Sequence, residues 1–296
     1  MVALERHADL PLRPDYTLDQ PRHLYSAEDH AVWRLLFQRQ ARLLPGRACG
    51  EFLAGLRGLG VAAAHDDGGG VPDFERLSDL LDRATGWRIV AVPGLVPDEV
   101  FFGHLAERRF PATWWLRRRD QIDYLQEPDV FHDIYGHVPL LMNPVFADYM
   151  QAYGRGGLKA MRLNALHRLA RLYWYTVEFG LIETPEGLRI YGSGILSSKG
   201  ESVFCLESAA PNRLRFDLRR IMRTKYRIDT YQKTYFVIRS FAELFEATRP
   251  DFAPIYAALE AEPDLGAADV IEGDAVIARG TLDAREGGWE SGRADV

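Results

Sequence analysis

Several features that mark particular protein classes are scarce or missing in this sequence of 296 residues. Its two cysteines, Cys49 and Cys205, are too few for a disulfide framework or for a metal site built from several thiolates. No uninterrupted apolar run reaches the ~18 residues that a membrane-spanning helix needs. The N-terminal stretch interleaves charge with proline and lacks the apolar segment of a signal peptide. The net charge of −6 excludes the basic excess typical of nucleic-acid binders. We expect a cytoplasmic protein that binds neither nucleic acid nor membrane.

What is present indicates a packed globular protein. Hydrophobic residues make up 47% of the chain and charged residues 26%. Helical patterns dominate, so the sequence predicts a mainly α fold, of the α+β type with a few short strands, in a single domain. We expect an extended N-terminal arm over residues 1–25, a domain over 26–261 and a loosely attached acidic tail over 262–296. The tail holds nine acidic residues and three arginines, which account for the whole net charge of the chain.

Local signals place the secondary structure. Ser26 with Asp29 three residues later resembles a capping box, and Asn143-Pro144 is typical of a helix start. Helices are predicted over 27–43, 49–59, 73–84, 98–108, 165–179, 197–206 and 214–224, and from 143 and 240 onwards. Strands are predicted over 89–92, 189–191 and 234–238, with an extended stretch over 114–116. We see no alternation of strands and helices that would predict a β-α-β unit.

Two histidines, His132 and His137, lie five residues apart in the densest polar and aromatic stretch of the chain. On a regular α-helix, five residues leave two side chains roughly 140° apart. A helix that ends near Tyr135, before Gly136, would let His137 turn back towards the point that His132 faces. The spacing therefore permits two imidazoles on one metal ion. The spacing alone somewhat favours the alternative, a hydrogen-bonded core histidine followed by a histidine at a helix C-terminus.

A third ligand candidate is Glu178, the only acid in an otherwise apolar and aromatic stretch. A carboxylate in such surroundings needs a cation, which can be an arginine or a metal ion. Two histidines and one glutamate match the facial triad of non-haem Fe(II) oxygenases, and the same set serves catalytic zinc. Arg117, in a run of three arginines, is either solvated or paired with a carboxylate, which its planar fork suits.

Three longer motifs resemble the pterin-dependent aromatic amino-acid hydroxylases. They are Glu127-Pro-Asp-Val-Phe-His132-Asp-Ile-Tyr-Gly-His137-Val-Pro-Leu, Tyr173-Trp-Tyr-Thr-Val-Glu178-Phe-Gly-Leu and Tyr191-Gly-Ser-Gly-Ile-Leu-Ser-Ser198. The resemblance extends from about residue 25 to about residue 260, with the motifs in the family's order. It implies the family's catalytic domain as the fold.

The resemblance also implies roles for individual residues. His132, His137 and Glu178 would be the catalytic Fe(II) ligands. The residues implied to bind the amino acid are Arg117, at its α-carboxylate, with Tyr124, Leu125, Pro128, Trp174, Gly194 and Ser197. Those implied to contact the pterin are Gly94, Leu95, Val96, Phe101, Asp133 and Tyr173.

By the same resemblance, the chain would be a monooxygenase that converts L-phenylalanine to L-tyrosine, the first step of phenylalanine catabolism. It would use Fe(II), O₂ and tetrahydrobiopterin or a bacterial relative of that pterin. The alternatives are hydroxylation of tryptophan or another aromatic amino acid, a zinc hydrolase with the same ligands, and a helical interaction module. With about 25 residues before the first predicted helix and no heptads at its end, we expect no regulatory domain and a monomer.

Overall fold

The computed structural model describes residues 10–60, 69–123 and 127–281, which are about half helical with a few short strands. The chain divides into two units. The first comprises Met1–Pro45 and Gly50–Met161, and the second comprises Gly46–Cys49 and Arg162–Val296.

The first unit is mainly helical. Its α-helices and strands are α1 (Ala27–Leu43), α2 (Gly50–Gly58), α3 (Phe74–Thr85), β1 (Arg88–Val92), α4 (Asp98–Ala106), β2 (Arg109–Thr113) and α5 (Pro144–Arg162). Short 3-10 turns cover Arg22–Leu24, Arg119–Gln121 and Val138–Met142, and a π-helix covers His132–His137.

The helix ends of this unit follow the local signals of the sequence. Ser26 and Asp29 form the expected reciprocal capping box at the start of α1. Gly86 ends α3 in the left-handed conformation at φ 72°. The side-chain oxygen of Asn143 accepts hydrogen bonds from the backbone N–H groups of Val145 and Phe146 at the start of α5. These predictions are confirmed to within a few residues.

One prediction for the first unit is wrong, because β1, α4 and β2 form a β-α-β unit. The two strands pair in parallel, with Arg88 opposite Arg109 and Val92 opposite Thr113. The second strand contains Pro111, a residue confined to edge strands because it donates no ladder hydrogen bond. A two-stranded sheet has only edges, so the proline is tolerated here. Residues 114–116, predicted as extended, follow β2 without belonging to it.

The histidine segment also differs from its prediction. A helix end near Tyr135 was the condition under which the two histidines could meet, but the π-helix runs through Gly136 to His137 and continues into the 3-10 turn from Val138. Hydrogen bonds in a π-helix run from residue i to i+5, so five residues make a little more than one turn. Side chains five apart therefore lie on nearly the same face, and no helix end is required to bring the two histidines together.

The second unit contains a mixed sheet flanked by helices. Its elements are α6 (Leu166–Tyr173), a second π-helix (Trp174–Glu178), β3 (Leu181–Thr184), β4 (Gly187–Ile190), α7 (Ser193–Leu196), α8 (Lys199–Glu207), β5 (Asn212–Arg215), α9 (Leu218–Arg223), β6 (Thr234–Ile238), α10 (Phe241–Thr248), α11 (Ala253–Glu260) and β7 (Val276–Ala278). The strand order is β4-β3-β6-β5-β7. β6 pairs in parallel with both β3 and β5. At the two edges of the sheet, β4 pairs antiparallel with β3, and β7 pairs antiparallel with β5.

Three helix predictions in this unit need correction. The helix predicted over 165–179 is α-helical only to Tyr173 and then becomes the second π-helix, closed by a bond of 2.9 Å from the Phe179 N–H to the Trp174 carbonyl. The helix predicted over 214–224 starts at Leu218, because residues 212–215 form β5 and Asp217 caps the helix. The helix predicted over 197–206 is α8, with Ser198 as its N-cap.

The expected loose attachment of the tail is wrong for residues 262–281. β7 pairs with β5, and the Asp274 carboxylate lies 2.8 Å from Nε of Arg220 in an ion pair whose side chains are 5% and 6% exposed. Asp264 pairs with Arg168 and Arg171 of α6. An acidic composition suggested a solvated segment, but these acids meet arginines from earlier helices. Residues 282–296, and residues 1–9 of the predicted arm, lie outside the described residues.

No helix within the described residues is both long enough and apolar enough to cross a membrane.

Candidate metal centre

The two histidine rings of the first π-helix meet at their Nε2 atoms, which lie 3.0 Å apart. For metal–nitrogen bonds of ~2.1 Å, two ligands at a right angle lie ~3.0 Å apart, and two at the tetrahedral angle ~3.4 Å apart. The distance therefore fits neighbouring positions of an octahedral ion. Without an ion, the same distance suits a hydrogen bond in which one imidazole donates and the other accepts.

An aromatic cluster fixes the segment that carries these rings. Phe131 and Tyr135 stack with their centroids 4.8 Å apart and their planes 12° apart. Each meets rings of α1 or α2 edge-on, namely those of Trp33, Phe37 and Phe52. On the other side, His137 packs against Phe110 of β2 at 5.2 Å. Because these large side chains are buried, the histidines are carried by a segment with little freedom to move.

Glu178, the last residue of the second π-helix, is the third member of the group. One ligand atom from each of His132, His137 and Glu178 lies within 4.8 Å of the others. The carboxylate oxygen Oε2 accepts a hydrogen bond of 3.0 Å from the hydroxyl of Ser193.

These three side chains fit a divalent transition metal. Two imidazoles and one carboxylate form the donor set of the facial triad, which leaves about three coordination positions for other ligands. The Nε2 separation of 3.0 Å is compatible with such an ion. The predicted ligand set is thus brought together as the sequence analysis expected.

Arg117 is held in a buried ion pair with Asp129. Its Nε and Nη2 atoms donate to the two carboxylate oxygens at 2.8 and 2.9 Å, and its backbone N–H donates to the same carboxylate at 2.9 Å. The Asp129 carboxylate also accepts a hydrogen bond of 3.0 Å from the backbone N–H of His132. Burial opposes ionisation of this carboxyl, but the charge of Arg117 outweighs it and holds the pKa of Asp129 below its usual value. One carboxylate therefore fixes both an arginine and a metal-ligand segment.

The guanidinium of Arg117 retains capacity for a ligand. Of its five N–H groups, two bond Asp129 and one makes a weak contact of 3.4 Å with the Ile122 carbonyl. Within the described residues, this leaves one N–H on each Nη atom, at the edge of the fork that suits a second carboxylate.

Asp133 is buried beside the histidines. Its carboxylate accepts a hydrogen bond of 2.7 Å from the backbone N–H of Thr113, the last residue of β2. Burial raises the pKa of Asp133 to about 7, although His137 and the Thr113 N–H favour the ionised form. This carboxyl can therefore exist in either protonation state near neutral pH.

Trp174 is oriented by two contacts. Its indole N–H donates to the side-chain oxygen of Gln232 at 2.8 Å, and its ring stacks on Tyr226 at 4.3 Å with planes 15° apart. Gln232 is buried, and its side-chain amide also donates to the carbonyls of Arg227 and Thr230. Trp174 is therefore held in one orientation.

The remaining predicted residues lie on several elements. Gly94, Leu95 and Val96 lie on the loop before α4, where Leu95 is 79% exposed, and Phe101 lies on α4 against Phe102. Pro128 precedes the first π-helix, and Tyr173 ends α6. Gly194 lies on α7, and the Ser197 hydroxyl donates to the Ser193 carbonyl at 2.9 Å. Tyr124 and Leu125 lie outside the described residues.

Three residues that shape the site were missed in the sequence analysis: Asp129, Ser193 and Gln232. An acid three residues before His132 was a usable signal for Asp129, since such a residue reaches the backbone N–H of a helix start. Ser193 and Gln232 contact residues 15 and 58 positions earlier, so no local pattern identifies them.

Comparison with known proteins agrees with this geometry. Residues 6–257 match the model of the biopterin-dependent aromatic amino acid hydroxylase family. The chain is 70% identical to the phenylalanine-4-hydroxylase of Ralstonia nicotianae, over 94% of this chain and 86% of that protein. It is 66% identical to the phenylalanine-4-hydroxylase of Chromobacterium violaceum, over 90% and 88% of the two chains. The crystal structure of the C. violaceum enzyme with iron and phenylalanine superimposes with a TM-score of 0.88 at 61% identity, covering 94% of this chain and all of that chain.

Proposed function

The chain belongs to the biopterin-dependent aromatic amino acid hydroxylase family, and we propose that it is an iron monooxygenase that converts L-phenylalanine to L-tyrosine. The convergence of His132, His137 and Glu178 in a chain 56–70% identical to phenylalanine-4-hydroxylases carries this proposal. The reaction would be the first step of phenylalanine catabolism. We assign the catalytic domain to residues 26–261.

The metal ligands of the proposed enzyme are His132, His137 and Glu178. Fe(II) held by them, together with a tetrahydropterin, supplies the activation of O₂ that inserts one oxygen atom into an aromatic ring. Three protein ligands leave about three positions on the ion, enough for the remaining reactants. The protein contributes position, charge and the exclusion of water.

Arg117 binds the α-carboxylate of the amino acid in this proposal. Asp129 holds the edge of the fork formed by Nε and Nη2, which leaves one N–H on each Nη atom for a second carboxylate. Because Asp129 also accepts the His132 N–H, substrate binding and ligand position share one buried carboxylate. The other residues assigned to the amino acid are Tyr124, Leu125, Pro128, Trp174, Gly194 and Ser197.

Trp174 forms an apolar wall of the amino-acid pocket. Its stacking on Tyr226 and its contact with Phe179 at 4.7 Å present a continuous aromatic surface. Such a surface favours an aromatic substrate and excludes water from reactive species.

The pterin is assigned to the loop before α4 and to the aromatic residues near it. Phe101 offers a half-buried ring for stacking, and Asp133 offers a carboxyl that is protonated or ionised near neutral pH. The full set of residues is Gly94, Leu95, Val96, Phe101, Asp133 and Tyr173. We further propose a monomeric cytoplasmic enzyme that binds no nucleic acid, consistent with its acidic charge balance.

Product analysis tests the proposal. Protein reconstituted anaerobically with Fe(II) receives a tetrahydropterin, O₂ and either phenylalanine or tryptophan. We expect tyrosine from phenylalanine, in amounts that depend on the pterin and on iron. Preferential consumption of tryptophan would give the enzyme a different substrate, and the absence of pterin-dependent O₂ uptake with tightly retained zinc would contradict the hydroxylase function itself.

A further inference from the structure

The tripeptide Gly192-Ser193-Gly194 lies directly against Glu178. The backbone N–H groups of Tyr191 and Gly192 donate to the Gly180 carbonyl at 3.2 and 3.0 Å, which docks this segment onto the end of the second π-helix. The sequence of the tripeptide lacks the later glycine and lysine of a phosphate-binding loop. The tripeptide instead contacts the Glu178 side chain.

Both glycines are needed for this approach. A Cβ atom at Gly192 would lie 2.5 Å from the Glu178 carbonyl oxygen and 2.5 Å from the Gly180 nitrogen, both backbone atoms that cannot easily shift. A Cβ atom at Gly194 would lie 3.2 Å from Oε2 of the Glu178 side chain. The absence of side chains at both positions therefore lets Ser193 reach the carboxylate.

The hydroxyl of Ser193 lies 3.0 Å from Oε2 of Glu178 and 3.0 Å from the Val177 carbonyl. A hydroxyl donates a single proton, and a bond to a carboxylate is about twice as strong as one to a neutral carbonyl. Ser193 is 2% exposed, so water does not compete for this proton. The hydroxyl therefore donates to Glu178.

We propose that Ser193 is a positioning residue for the metal centre, whose hydroxyl orients the Glu178 carboxylate towards the ion. This inference rests on the proposed function, because it requires Glu178 to be a metal ligand. Hydrogen bonds to a ligating carboxylate fix its orientation, and their loss lowers metal affinity by ~10–100-fold. The neighbouring glycines allow the backbone to approach Glu178 closely, and the Ser193 hydroxyl then bonds one side of the carboxylate.

A purely structural role for Ser193 makes a different prediction. If its hydroxyl served only to satisfy the Val177 carbonyl, removing it would lower stability and leave metal binding unchanged. Ser202 provides a matched control, since it is equally buried and, among the described residues, its hydroxyl lies within hydrogen-bond distance of the carbonyls of Ile195 and Ser198, at 2.7 and 2.6 Å, and of no metal-ligand candidate.

The test measures Co(II) affinity by anaerobic competition with a chelator, beside thermal unfolding of the metal-free proteins. Ser193→Ala and Ser193→Gly both remove the hydroxyl, and we expect each to weaken Co(II) binding by ~10-fold or more. Ser193→Thr keeps the hydroxyl and should bind Co(II) within ~3-fold of the wild type, as should Ser202→Ala.

The outcomes separate this inference from the proposed function. Co(II) affinity in Ser193→Ala and Ser193→Gly equal to that of Ser202→Ala would overturn the positioning role. In the same assay His132→Ala must lose Co(II) affinity. If it binds Co(II) as tightly as the wild type, the metal centre itself is misassigned, whatever the Ser193 variants show.

Discussion

The histidines and the glutamate of the metal centre both lie on π-helices, but their surroundings hold them in different ways. His132 and His137 belong to one helix of six residues, packed by aromatic rings on either side. Their spacing is set by the helix itself, and Asp129, three residues earlier, anchors its start. The spacing of the two rings and the anchor at Asp129 lie close together in the sequence, whereas the aromatic packing comes from other elements.

Glu178 depends on residues from a later segment. Its helix changes from α to π at Trp174, where the Thr176 hydroxyl donates to the Leu172 carbonyl at 2.6 Å, a bond that bends helices. Its carboxylate is then held by Ser193, 15 positions further along. The comparison shows that one ligand pair is set by local helix geometry, whereas the third ligand is set by tertiary contacts.

The largest expected effect comes from removing a ligand on either side of this comparison. His132→Ala and Glu178→Ala should each lower turnover of the Fe(II)-reconstituted enzyme by more than ~100-fold, because loss of an outer partner alone costs up to that much. Steady-state kinetics with phenylalanine measures the effect. His104→Asn is the control, since His104 is a buried histidine that bonds the Asp15 carbonyl at 2.9 Å. Full turnover in either ligand variant would remove that residue from the centre.

Asp129→Asn tests the local anchor of the histidine segment. It leaves the Arg117 charge buried without its partner, so we expect the free energy of unfolding to fall by ~3–5 kcal/mol in urea titrations. The KM for phenylalanine should also rise by ~10-fold or more, since the arginine fork loses its orientation. Asp274→Asn breaks the similarly buried pair with Arg220 and should lower stability alone. An unchanged KM in Asp129→Asn would separate this carboxylate from substrate binding.

Glu201→Gln tests the buried carboxyl that accepts hydrogen bonds from Tyr235 and Gln232. Gln232 in turn bonds Trp174, on the π-helix that carries Glu178. Burial raises the pKa of Glu201 from its usual 4.5 to about 7, against the opposing hydrogen bonds from Tyr235 and the Gln232 N–H. Between these values the folded protein keeps a proton that the unfolded chain releases, so wild-type stability falls as pH rises from about 4.5 to 7. The loss is of the order of 3 kcal/mol.

Urea titrations at several pH values measure this effect. Stability of Glu201→Gln should vary less over the same range, because the titrating group is gone. Glu207→Gln, on the same helix but exposed, serves as the control. The same pH dependence of stability in the wild type and in Glu201→Gln would show that Glu201 is not the group that titrates in this range.

The smallest expected effect is that of Gln232→Leu on the orientation of Trp174. The variant leaves the indole N–H without its acceptor, which costs ~1–3 kcal/mol of stability, and we expect a rise of only a few-fold in the KM for phenylalanine. The ratio of kcat/KM for phenylalanine to that for tryptophan should change if the Trp174 ring changes its orientation. Tyr226→Phe, which keeps the stacked ring, should leave the preference unchanged. The same preference in all three proteins would show that Gln232 does not shape the pocket.

The sequence predicted the parts of the fold that local signals define. Caps at Ser26, Asn143 and Gly86 placed helix ends correctly, and the apolar run at 234–238 is β6. It did not reveal either π-helix, because the extra residue per turn leaves no distinct hydrophobic pattern. β2 was missed because Pro111 interrupts its pattern. β5 was missed because Leu214, Leu218 and Ile221 have the i, i+4, i+7 spacing of a helix, which places the strand residue Leu214 in the helical pattern of α9.

The same distinction applies to the site. The ligand triad was accessible from motif and spacing, and the acid at position 178 stood out against its apolar neighbours. Ser193 and Gln232 were not accessible, since their roles depend on which segments the fold brings together. The paired acids of the tail were misjudged because composition carries no information on the arginines that they meet.

The central claim is that two imidazoles and one carboxylate hold a single iron. X-ray absorption at the iron edge of the anaerobically reconstituted protein tests it most directly. We predict a six-coordinate Fe(II) with two imidazole ligands in the wild type and one in His132→Ala. A tetrahedral ion, or the same number of imidazoles in both proteins, would contradict the account.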